Sequence, residues 1–83
     1  SRLTSFINVK SVYPVSIGHP MSFKDLVWDS LEKNHFYRIV LKGGDEDVVV
    51  FQSEMLISVF SGVIYPNAKR IVSVTELELK EKS

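Results

Sequence analysis

Three adjacent carboxylates, Asp45, Glu46 and Asp47, follow Lys42-Gly43-Gly44 and sit between two apolar runs, Tyr37–Leu41 and Val48–Phe51. Glycine and acidic residues between two β-rich runs spell a hairpin tip, so these side chains are expected on an exposed rim beside a sheet edge. Carboxylates placed there attract a basic partner and set its orientation and rate of arrival, although a plain solvated turn uses the same residue types. Calcium binding fits less well. It needs oxygen ligands at alternating positions and a closing bidentate Glu, which Val48-Val49-Val50 does not supply. Glu54 is a further acid downstream, and Lys10 with the pair Lys69-Arg70 are the basic groups that could answer these acids from another copy. Each of the three basic groups also has a plain reading as a solvated surface charge.

The two histidines, His19 and His35, fall on loop-like segments with no third nitrogen or thiolate at a metal-binding spacing. His35 is expected to interact with the negative end of a preceding helix. Nucleophile elbow, P-loop and dinucleotide fingerprint are all missing. Gly43-Gly44-Asp45-Glu46 is similar to the tetrapeptide of diguanylate cyclases. That catalytic domain needs about twice this length and a preceding metal-binding strand, so the match is read as chance. No catalytic residue, cofactor or metal ligand is assigned, and the chain is not expected to be an enzyme.

The elements that must position these groups are legible in outline. Phe6–Ile17 is rich in β-branched and aromatic residues and is expected to be one bent strand or two short ones, with Pro14 at an edge or bend. Ser22 and Asp25 resemble a capping box, with Met21 and Leu26 as staple. The helix they open carries Phe23, Leu26, Val27 and Leu31 on one face and ends near Asn34-His35. Trp28 is expected to cover the core's edge. Ser53 reads as a second N-cap, opening a short helix through Phe60 that Gly62 stops. Tyr65-Pro66-Asn67 is a turn, with Tyr65 a second candidate exposed aromatic, and Arg70–Leu79 is extended, its alternation slipping near Thr75-Glu76.

Size and composition bound the rest. Eighty-three residues make one domain, with an ordered core over about residues 5–79, and the start at Ser1 suggests a piece of a longer protein. Ten basic and ten acidic side chains cancel, so no global field gathers phosphate backbones and nucleic-acid binding is disfavoured. The lack of cysteine excludes disulfides and thiolate ligands and leans towards an intracellular, cytoplasmic setting. No apolar run approaches the roughly 20 residues that span a bilayer, and no signal peptide is evident, so no membrane partner is expected.

The order strand or hairpin, helix, hairpin, short helix, strand resembles the ubiquitin-like β-grasp, in particular the PB1 and DIX interaction domains. The PB1 likeness rests on Asp45, Glu46 and Asp47, then Val48 and Val50, then Glu54 and Leu56, then Ile71–Val74, with Lys10 similar to the basic residue that such acids meet in a neighbour. The DIX likeness rests on Tyr13–Ile17, the helix from Phe23, the strand Tyr37–Lys42 and Val59–Val63. The resemblance implies an α+β fold: a small mixed sheet with one main helix and a short second helix. It also implies a protein-interaction module that pairs with itself or a related domain through Asp45, Glu46, Asp47, Glu54, Lys10, Lys69 and Arg70. If Phe6–Ile17 is a single strand, the order becomes the ferredoxin-like or CBS-like β-α-β-β-α-β. The domain would then be a small regulatory unit binding a small-molecule ligand near Gly18-His19-Pro20 or Gly43-Gly44.

Overall fold

A computed structural model describes residues 3–13, 23–66 and 69–82. In chain order the elements are β1 (Leu3–Tyr13), α1 (Phe23–Ser30), β2 (Phe36–Leu41), β3 (Glu46–Gln52), β4 (Met55–Ser58), β5 (Ile64–Tyr65) and β6 (Ile71–Lys82). All six strands form one sheet in the order β1-β6-β2-β3-β4-β5. Each of the five strand pairings is antiparallel. Strands β2 to β5 are a meander. The last strand returns to lie between β2 and the first, which leaves β1 and β5 as the two edges among the described residues.

This corrects the expected α+β fold. A mixed sheet needs a parallel pair and there is none among the described residues, so neither the β-grasp arrangement nor the ferredoxin-like alternative holds. Val12 and Tyr13 continue β1 instead of turning back from it. The Gly18-His19-Pro20 segment, Pro14, Met21, the Ser22 cap and Asn67 lie outside the described residues.

The second helix is replaced by a hairpin. Ser53 and Glu54 both take left-handed backbone angles (φ 51° and 59°), and Gln52 pairs directly with Met55 across them. Two successive residues of that hand make the tight turn whose twist matches a hairpin. A helix of two turns standing alone is poorly nucleated, whereas Met55–Ser58 gains a ready-made ladder from β3 and buries Leu56 completely. The tip between β2 and β3 works similarly. Gly43 and Gly44 (both φ 98°) allow Leu41 N–H to donate to the Asp45 carbonyl at 2.7 Å.

One face of the sheet carries the core. Tyr37, Ile39 and Leu41 of β2, Val49 and Phe51 of β3, Leu56 of β4, and Ile71 and Val74 of β6 pack with Val12, and Val27 and Leu31 from the helical side join the same cluster. Trp28 covers the edge of this cluster as expected, its ring 5.9 Å from that of Phe51. The regular helix stops at Ser30, short of Asn34-His35. From there the backbone is held elsewhere: Glu32 N–H donates to the Tyr37 hydroxyl at 2.8 Å, and Asn34 N–H to the Phe51 carbonyl at 2.8 Å.

The opposite face has its own apolar content. Directly paired residues share a face, so Leu77, Phe36, Val50, Ile57 and Ile64 form one row across five strands. Phe36, Val50 and Ile57 are half-buried and Ile64 is 50% exposed, while Phe6 of β1 meets Phe36 with ring centroids 5.4 Å apart. The apparent slip at Thr75-Glu76 is thereby explained. Val74 belongs to the helix-covered face and Leu77 to the open one. The expected bulge falls there on the neighbouring strand, with Val9 and Val12 extra in β1 opposite the Glu76–Leu77 and Val74–Thr75 steps, and Val72 is extra in β6 relative to β2.

Past Leu77 the last strand has, among the described residues, only β1 as a neighbour. Leu3–Asn8 and Leu77–Lys82 run out as a two-stranded ribbon whose outermost pair is Leu3 with Lys82, consistent with overall dimensions of 46 × 26 × 26 Å.

Candidate functional site

The three acids at the tip have different surroundings. Asp45 is exposed. Glu46 opens β3 beside Val40, and its Oε1 lies 3.7 Å from Arg38 Nε. Asp47 points to the helix-covered face, and its carboxylate accepts three hydrogen bonds. Val48 N–H and Ser58 Oγ–H donate to Oδ1 at 2.8 and 2.9 Å, and the Tyr65 hydroxyl donates to Oδ2 at 2.7 Å. The Tyr65 hydroxyl pKa is raised, first because it donates to the Asp47 carboxylate and then through partial burial. Asp47 is therefore engaged inside the fold, tying β3 to β4 and β5.

The basic candidates are not gathered opposite the tip. Lys42 N–H donates to the Arg70 carbonyl at 2.7 Å, which puts Lys69-Arg70 at the same end of the molecule as Asp45. Lys10 pairs in register with Glu76, its Nζ 4.0 Å from Glu76 Oε1. Glu54 sits in the turn at the far end of β3, roughly 20 Å from the tip at strand rise. The structure thus brings Asp45, Glu46 and Arg70 to one end and separates them from Lys10 and Glu54. A Cβ on Gly43 or Gly44 would meet nothing within 4 Å, so these glycines serve the turn and do not line a ligand cavity.

Two features went unrecognised in the sequence. The first is the β4–β5 hairpin, where Val59, Phe60, Val63 and Ile64 are 38, 76, 49 and 50% exposed. Ser58 shapes its turn from below. Ser58 is buried; its Oγ accepts Phe60 N–H and Ser61 N–H at 3.3 and 3.2 Å, and Gly62 N–H donates to its carbonyl at 3.0 Å. The turn is fixed while its apolar side chains stay exposed, and its Ile64 pairs with Ile57 at the end of the row on the open face.

The second is the convergence of Glu32, His35 and Glu76, whose ligand atoms all lie within 4.8 Å of one another. His35 Nδ1 is 3.1 Å from Glu32 Oε2 and 4.0 Å from Glu76 Oε2. Nearby, burial pushes the Tyr37 hydroxyl pKa up against the hydrogen bond from Glu32 N–H, and the charges of Glu76 and Glu32 add to the rise. Glu32 and His35 are three apart and could be read together from the sequence; Glu76 arrives only because β6 pairs with β2.

Comparison with family models, with curated proteins and with solved structures returned no match in any of the three. No helix among the described residues is long and apolar enough to cross a membrane.

Proposed function

We propose that this domain is a protein-interaction module that associates with a second copy of itself through the open face of its sheet, with the β4–β5 hairpin as the anchor. The observation that carries the reading is the row from buried Leu77 through half-buried Phe36, Val50 and Ile57 to exposed Ile64, together with the exposed Val59, Phe60 and Val63 of the adjoining turn. A large exposed aromatic among aliphatic side chains is the kind of group that dominates association energy. The margin of the row supports a like partner. Arg38 and Glu46 stand side by side there, 41 and 56% exposed, and about a two-fold axis the Arg38 of each copy would meet the Glu46 of the other. The acidic tip contributes orientation through Asp45 and Glu46, not through Asp47. An intracellular, cytoplasmic setting belongs to the same proposal, supported by a cysteine-free chain that needs no oxidising compartment.

Sedimentation velocity over a concentration series, at low and high salt, tests the reading. A dimer that persists in high salt and becomes a monomer in the folded double variant Phe60→Asp/Ile64→Asp is expected, because apolar burial is not screened. A monomer under every condition, or a dimer that the double variant leaves intact, overturns it. A dimer that salt disperses and Asp45→Lys/Glu46→Lys abolishes would return the contact to the acidic tip and also overturn it.

A further inference from the structure

We propose that Glu32, His35 and Glu76 form a three-ligand site for a first-row divalent transition-metal ion of the zinc class, independently of the self-association reading. Two of the three ligand-atom spacings already suit it, and all three lie within 4.8 Å. A metal with bonds of about 2.0 to 2.2 Å to nitrogen and oxygen holds its ligand atoms roughly 3 to 4 Å apart. His35 Nδ1 already lies 3.1 and 4.0 Å from one oxygen of each carboxylate.

The frame that presents them is fixed by hydrogen bonds remote from the ligand atoms. Glu32 N–H is bound by the buried Tyr37 hydroxyl at 2.8 Å, His35 N–H by the Glu32 carbonyl at 3.1 Å, and the His35 carbonyl by Phe51 N–H at 3.1 Å. Glu76 is held between β1 and β2 by its pairings with Lys10 and Tyr37. The site is therefore supported by backbone from four elements and their connections, so binding does not have to order a loose loop.

One imidazole nitrogen with two carboxylate oxygens suits zinc, cobalt, nickel, manganese or ferrous iron better than calcium or magnesium, which take oxygen alone. Glu76 has a side chain only 14% exposed, whereas Glu32 and His35 are 62 and 45% exposed, so a bound ion would keep water on its outer side. Two carboxylates face the ion and one cation competes: Lys10 Nζ lies 4.0 Å from Glu76 Oε1, the oxygen not turned to His35.

That competition makes the test specific. Isothermal titration of the full chain with zinc, and the visible absorption of bound cobalt, are read for wild type, His35→Ala, Glu76→Gln, Lys10→Met and His19→Ala, each verified as folded by circular dichroism. One ion per chain with a Kd below about 100 µM is expected. A loss of tenfold or more should follow His35→Ala and Glu76→Gln, severalfold tightening should follow Lys10→Met, and His19→Ala should change nothing. The proposal is overturned if binding is weaker than millimolar, if it survives His35→Ala, or if it is His19→Ala that removes it.

Discussion

Removing the Asp47 carboxylate would strand three donors at once: Val48 N–H, the buried Ser58 hydroxyl and the Tyr65 hydroxyl. Asp47→Ala is expected to cost about 1–3 kcal/mol in a denaturant titration, because the buried Ser58 hydroxyl is left unpaired and the half-buried Val48 N–H and Tyr65 hydroxyl recover only part of their solvation. Asp45→Ala, two positions away on an exposed site, should stay within about 0.5 kcal/mol. The two tyrosines give a pH dependence. Both hydroxyl pKa values are raised in the folded state, Tyr37 chiefly by burial and Tyr65 chiefly by its bond to Asp47. The stabilisation is then complete below about pH 10, the ordinary phenol value, and is lost as pH climbs through the folded values. Melting temperature should fall above pH 10, and Tyr65→Phe should make that fall shallower. The sequence showed that acids and a turn coincide at 45–47. It could not show which acid is consumed internally, because the partners of Asp47 stand 11 and 18 residues downstream and reach it only through strand pairing.

The turn at Ser53-Glu54 holds two non-glycine residues at positive φ, which each cost of order 1 kcal/mol. Glu54→Gly should relieve one of them and raise the melting temperature by about 4–8 °C in scanning calorimetry. A helix that started at Ser53 would lose stability from the same change, so the sign of the shift reports the element present. The segment reads as a helix from sequence because Ser53, Leu56, Val59 and Phe60 have cap and helical spacing. What decides against it is the waiting edge of β3, a neighbour that spacing does not reveal. The β2–β3 hairpin was legible in outline, since its turn glycines and both strands are local, but β3 begins at Glu46 and takes in Asp47, both of which the sequence placed on the tip. The last strand was legible as extended but its faces were not, because alternation was weighed against a single core while Val74 and Leu77 serve opposite faces.

At the scale of the whole sheet, protection should follow strand order. Hydrogen exchange is expected to be slowest in β2 and β3 and in β6 between Ile71 and Leu77, where each strand has two neighbours, and fastest in β5 at the edge. The order itself was beyond the sequence, because the pairing of β1 with β6 joins residues from opposite ends of the chain. That same pairing has an architectural consequence. Leu3 and Lys82 are facing partners of an antiparallel ribbon, so the two ends of the described sheet lie about 5 Å apart. A module with its doorway and exit side by side can be spliced into a surface loop of another protein without prying that loop open. It can equally be reopened elsewhere, with the old ends joined by a short bridge, and keep the same sheet.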